Sequence, residues 1–212
     1  MTKNHFSAII MAFFITGCSH TAVVSSARPT NVYSSHDQKI ATKVSYTVDE
    51  TSLSKLKKDD AVSGFQCSAH RYPVDASSAF LGSIPSMLET VFDEYEETRG
   101  SPEKSTPQFV FRIERFEPRV KFNQKFFSAD ADATVELAVS VVGTLDGKRI
   151  FGTSADTQRN STGDAGSFCS GAGEVLADAT SDAIKDVLEK IGERLANNNQ
   201  LRNIQNNQLT SN

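Results

Sequence analysis

Residue types able to do chemistry are few in this chain, and their spacing restricts them further. There are three cysteines, Cys18, Cys67 and Cys169, and four histidines, His5, His20, His36 and His70. A Ser-His-acid site would have to use His70, because His5 falls in an N-terminal apolar run and His20 and His36 in a Ser/Thr-rich stretch. No Gly-x-Ser-x-Gly elbow accompanies it. Cys67 lies three residues from His70, but a Cys-His nucleophile needs a reduced thiol. Asp130, Asp132 and Glu136 alternate onto one strand face, a row of hard oxygens of the kind a divalent cation takes, and equally the solvated face of an ordinary strand. The Gly-rich run 166–173 has the look of a phosphate loop, yet Glu174 stands where Lys and then Ser or Thr would be needed, and an acid there repels phosphate. The expectation is a non-catalytic protein with no cofactor and no metal site.

The N-terminus carries a different chemistry. Lys3 precedes an apolar run over residues 6–16, followed by Gly17-Cys18-Ser19. That run is well short of the roughly 20 residues a mature membrane-crossing helix needs, so residues 1–17 read as a signal peptide. Ile15-Thr16-Gly17-Cys18 resembles the bacterial lipobox, in which the chain is cut before the cysteine and both its thiol and its new amino group are acylated. Two or more acyl chains anchor stably where one does not. A signal-anchor helix with a chance cysteine is the other reading. Ser19 stands where Asp would retain a lipoprotein at the inner membrane, so the resemblance implies the outer membrane, with the domain facing the periplasm.

Composition agrees with one globular domain plus appendages: 212 residues, 38% hydrophobic and 23% charged. With 22 basic against 26 acidic residues the net charge is −4, which offers no electrostatic grip on nucleic acid. Residues 18–41, rich in Ser, Thr and Ala and without periodicity, read as a flexible tether of about 25 Å root-mean-square span. Residues 198–212, rich in Asn and Gln, read as a polar, disordered tail; a short amphipathic extension of the last helix that docks on a partner is the other reading.

The domain proper is expected over 42–197. Residues 42–48 alternate, as do Phe65, Cys67 and Ala69 after a charged turn at Lys57-Lys58-Asp59-Asp60. Phe80, Ile84, Leu88, Val91, Phe92 and Tyr95 recur at helical spacing from a cap at Asp75 or Ser77 to about Thr98, with Pro85 inside the run. Phe109, Phe111 and Ile113 begin a strand. The long alternation from Ala131 to Val141, against Asp130, Asp132, Thr134 and Glu136, is a second, and Asp146-Gly147 signals a tight type I′ hairpin into a third. Residues 172–196 form an amphipathic helix with Leu176, Ala179, Ala183, Val187, Ile191 and Leu195 on its apolar stripe. The order strand-helix-strand-strand-strand-helix predicts an α+β fold, an antiparallel sheet with two amphipathic helices on one face.

Cys67 and Cys169 each precede a helix, and export to an oxidising compartment favours a disulfide between them; two buried free thiols are the alternative. Arg112, Arg115, Arg119, Lys121 and Lys125 interleave with Phe116, Phe122, Phe126 and Phe127. The cations are either the solvent face of a strand-turn-strand or, at Arg115, Arg119, Lys121 and Lys125, a site for an acidic headgroup, glycan or protein partner.

Met87-Leu88-Glu89, the strand 109–114, the Asp-rich strand 129–142, Leu145-Asp146-Gly147-Lys148 and the helix 176–195, behind the lipobox-like start, together resemble the YajG family of Gram-negative lipoproteins. The resemblance implies a fold and an address without an activity; Cys67, Cys169 and the tail depart from it. The functional expectation is a lipid-anchored binding or accessory component of an envelope assembly, with the membrane as one partner and an envelope protein or lipid as another. The alternative is an auxiliary lipoprotein of an envelope lipid-transport system, which the same layout also serves.

Overall fold

A computed structural model describes residues 18–59, 62–63, 67, 70–98, 106–125 and 128–209. The expected signal peptide, and Phe65, Ala69, Phe126 and Phe127, lie outside these residues. Among them, no helix is long and apolar enough to cross a membrane.

Strand alternation sets the frame. The strands β6 (Gln108–Gln124), β7 (Ala129–Leu145) and β8 (Lys148–Asp164), each 17 residues long, form an antiparallel meander. At about 3.4 Å per residue each is some 55 Å of chain. Asp146 and Gly147 take φ of 50° and 74°, the left-handed pair that a type I′ hairpin requires. In β6 the alternation changes parity. Phe109, Phe111 and Ile113 face inward, then Phe116, Pro118 and Val120 do. A bulge between Ile113 and Arg115 absorbs the extra residue.

The α+β class holds, with one correction to the sheet. Strand β1 (Val44–Val48) runs parallel to both β6 and β5 (Tyr95–Glu97), giving the order β5-β1-β6-β7-β8. Alternation reports which face a side chain takes and is silent on strand direction; the helical crossover between β1 and β5 is what permits a parallel pair. Asp49 caps the short helix α1 (Glu50–Leu53) through its carboxylate. A 3-10 turn, Ser54–Leu56, leads on to β2 (Lys57–Lys58), the expected charged turn, which pairs instead with β4 (Val74–Asp75). Between them β3 (Val62–Ser63) pairs in parallel with Val120–Lys121 of β6.

Helix α2 (Ser77–Val91) includes Pro85 but ends seven residues before the expected Thr98. Phe92 turns extended and forms a bridge with Ile40, and Tyr95 enters β5, where its ring meets Tyr46. Both residues fit a helical stripe by spacing alone, and both are placed instead by the sheet. Helix α3 (Ala172–Ala196) has the predicted bounds. Its stripe covers Val135, Leu137, Val139 and Val141 in one buried core with α2. Asp186 clasps helix to sheet, bonding Thr157, Arg159 and Lys190. Farther along α3, Lys190 and Arg194 reach over the outermost strand and donate to the carbonyls of Asp156 and Ser154 in β8.

The segment 18–41 departs most from expectation. It lacks helix and extended strand, as its composition implies, but it is a strap laid over the helices. Ala22 and Ile40 are buried. The Ala27 N–H donates to Ser83, Ser181 to the Ser25 carbonyl, the Asn31 N–H to Glu189, and Asn197 to the Tyr33 carbonyl. Room for it comes from glycine: a Cβ at Gly82 would lie 2.5 Å from Ser26 Oγ, and one at Gly192 2.8 Å from a Val32 methyl. The expected disordered tail is likewise replaced over Asn199–Leu209 by helix α4. Leu201 is buried, and Arg202 donates to the Ala196 and Gln38 carbonyls, joining tail to strap.

Candidate anchor-proximal site and outer sheet face

Cys18 is exposed, yet its backbone is not loose. Its carbonyl accepts from the Arg71 N–H at 3.0 Å; His20 N–H then donates to the Arg71 carbonyl, and Ala22 N–H to that of Pro73. The strap therefore begins as a short parallel ladder beside 71–74. The candidate acylation site sits on the domain's own surface, with no free chain between the two.

Two imidazoles meet beside it. His20 Nε2 and His70 Nδ1 are 2.9 Å apart, with ring planes 13° from parallel and centroids 5.1 Å apart. Those values are compatible only with rings lying end to end, so the two nitrogens share one in-plane N–H···N bond. The two nitrogens point at each other across that bond and do not converge on a common metal position. His20 also packs on the Tyr72 ring. Tyr72 is fully buried, its phenol pushed up to about 12 by burial, and its hydroxyl donates to the Cys169 carbonyl at 2.8 Å. By sequence His70 is the domain's lone histidine; its partner arrives from the supposed tether.

Cys67 and Cys169 form a disulfide with their Cα atoms 6.1 Å apart. Cys67, Phe168 and Cys169 all have φ between 57° and 63°, a left-handed conformation uncommon outside glycine. The Cys67 sulfur is therefore engaged in a bridge, where a Cys-His nucleophile would need it free. Phe168 stands 85% exposed on this loop.

The basic cluster lies on the helix-free face of the sheet, where it meets acids. Arg115 approaches Glu136 at 3.6 Å, Arg119 pairs with Glu117 at 2.6 Å and Glu136 at 3.5 Å, and Lys125 with Asp130 at 2.5 Å. The Asp130 carboxylate holds the Lys125 ammonium above its ordinary value. Lys121 is in register with Asp132, which accepts from Asn123. The same period that turns Asp130, Asp132 and Glu136 outward places them opposite the cations of β6, so the face is a mosaic of paired charge and not a basic patch. Arg112, farther along, pairs with Asp49 at 2.9 Å. Hydrogen bonds from Thr51 and then Arg112 hold the Asp49 carboxyl at about 2.

Gly82 and Gly192 mark where the strap presses on the helices: a Cβ at either would meet a strap side chain, Ser26 or Val32.

No family model matches the chain, and no curated protein matches it. Among solved structures it is similar to a Xanthomonas campestris protein described as DUF330, at 12% identity and a TM-score of 0.42, over 92% of this chain and 99% of that one. It is also similar to a minor lipoprotein from Acinetobacter baumannii, at 12% identity and a TM-score of 0.41, over 75% and 93%. Likenesses this loose assign no family, so the YajG resemblance rests on the residues quoted for it.

Proposed function

We propose that this chain is a YajG-like lipoprotein, held by acyl chains on Cys18 to the periplasmic leaflet of the outer membrane, where it serves as a non-catalytic binding component of an envelope assembly. The observation that carries this reading is the placement of Cys18. It directly follows a short apolar run ending Ile15-Thr16-Gly17, is exposed, and stands where the strap meets the domain. The membrane is thus one partner, and the polar outer sheet face carrying Arg115, Arg119, Lys121 and Lys125 is offered to a second, a protein of mixed surface charge. A lipid carrier would instead need an apolar groove, whereas the inner sheet face is filled by α2 and α3.

The test is metabolic labelling with an alkyne fatty acid in a Gram-negative host, with the intact mass of the mature chain. Incorporation into the native chain, lost in Cys18→Ser together with sedimentation with outer-membrane vesicles, is the expected result. An unlabelled, uncleaved chain would overturn it. Crosslinking of the labelled chain followed by native mass spectrometry then separates a protein partner from a co-purifying lipid.

A further inference from the structure

The end of the domain that carries Cys18 also presents Phe168, the most exposed large apolar side chain among the described residues. Phe168 is fixed there from both sides. Cys169 is bonded to Cys67 and its carbonyl is held by Tyr72, while the Gly171 N–H is held by the Ala165 carbonyl at 2.8 Å. The Tyr72 ring packs on His20, and Arg71, its chain neighbour, binds the Cys18 carbonyl. With the loop backbone held in this way the ring stands out in water, and a phenyl ring in water forfeits the burial an apolar phase would give it.

The ladder from Cys18 to Ala22 leaves no slack between anchor and domain. Acyl chains on Cys18 draw this end of the molecule, and no other, against the bilayer. We infer that Phe168 inserts into the headgroup–acyl boundary beside those chains and so fixes one orientation of the domain on the membrane. This rests on the acylation of Cys18 proposed above. Aromatic side chains favour that boundary, and the exposed Arg71 at the same end suits its phosphates.

The chain has no Trp, so one indole can be read without background. The reporter is Phe168→Trp. The control is Tyr33→Trp, at a residue 70% exposed whose carbonyl binds Asn197 at the far end of α3. Cys18 lies by the near end, where a Cβ on Gly173 would be 3.3 Å from the His20 carbonyl oxygen. The two sites are separated by most of a 25-residue helix, about 37 Å. Each full chain is produced with its signal, its acyl mass is verified, and it is reconstituted into phosphatidylcholine/phosphatidylglycerol vesicles with brominated acyl chains.

The expected result is a blue shift and loss of intensity at position 168, none at position 33, and neither change in the soluble Cys18→Ser form of the reporter. An acylated, vesicle-bound chain whose indole at 168 stays unquenched, or is quenched no more than that at 33, overturns the seating while leaving the anchor intact. A chain that carries no acyl group overturns the anchor and the seating together.

Discussion

At the scale of single residues, the disulfide and Asp186 carry the clearest energetic consequences. The Cys67–Cys169 bridge spans 102 residues, and in the chain-entropy account closing such a loop contributes up to about 4–5 kcal/mol. Cys67→Ser is therefore expected to lower the thermal midpoint substantially, and dithiothreitol to lower the midpoint of the native chain while leaving that of the variant unmoved. Differential scanning calorimetry in both redox conditions reads it; a native midpoint indifferent to reductant argues against the bridge. Burial opposes ionisation of Asp186, but hydrogen bonds from Thr157, Lys190 and Arg159 outweigh it and hold the carboxyl below its ordinary value. A carboxyl so depressed stabilises the fold above the pH at which the unfolded chain ionises, and that contribution fades as pH falls through the lower, folded value. Asp186→Asn should cost about 1–3 kcal/mol near neutrality and flatten the acid limb of a stability–pH profile from urea titrations. Equal acid sensitivity of the two proteins would assign that limb to other carboxylates.

Elements differ in how plainly the chain announces them. Strand β7 and helix α3 were legible because each spends one face on the core at a fixed period, which in α3 runs through Leu176, Ala183, Val187 and Leu195. Phe92 and Tyr95 misled for the same reason: their spacing suits a helix, and only the bridge from Phe92 to Ile40 shows that the chain has already turned to the sheet. The strap was illegible because it is bound chiefly through its backbone, to Ser83, Ser181, Glu189, Asn197 and Arg202, and periodicity reports only side chains. The His20–His70 pair stayed hidden with it, and the paired state of Arg115 and Arg119 needed the register of β6 on β7. Gly192→Val tests the strap directly. The added methyls meet Val32 and Met87, so limited proteolysis should cut within 24–38 faster than in the native chain while α3 keeps its cooperative melt. An unchanged cleavage rate would mean the strap does not depend on that close approach.

Over the whole molecule, the two faces of the sheet divide the work. One is spent on α2 and α3 beneath the strap, the other is a mosaic of paired charges, and the end that carries Cys18 is fixed relative to both. Copies anchored and seated as proposed above would share one plane and one upright direction, and neighbours would then meet edge to edge at the high effective concentration of a surface. A strand of 17 residues ending a sheet is, under that crowding, a template onto which a second copy could zip. Lys190 and Arg194, by occupying the carbonyls of Asp156 and Ser154, remove acceptors that such a partner would need and set a charged helix over the approach. On such a surface the two side chains would act as a lateral fender, taking up acceptors through which neighbouring copies could otherwise pair.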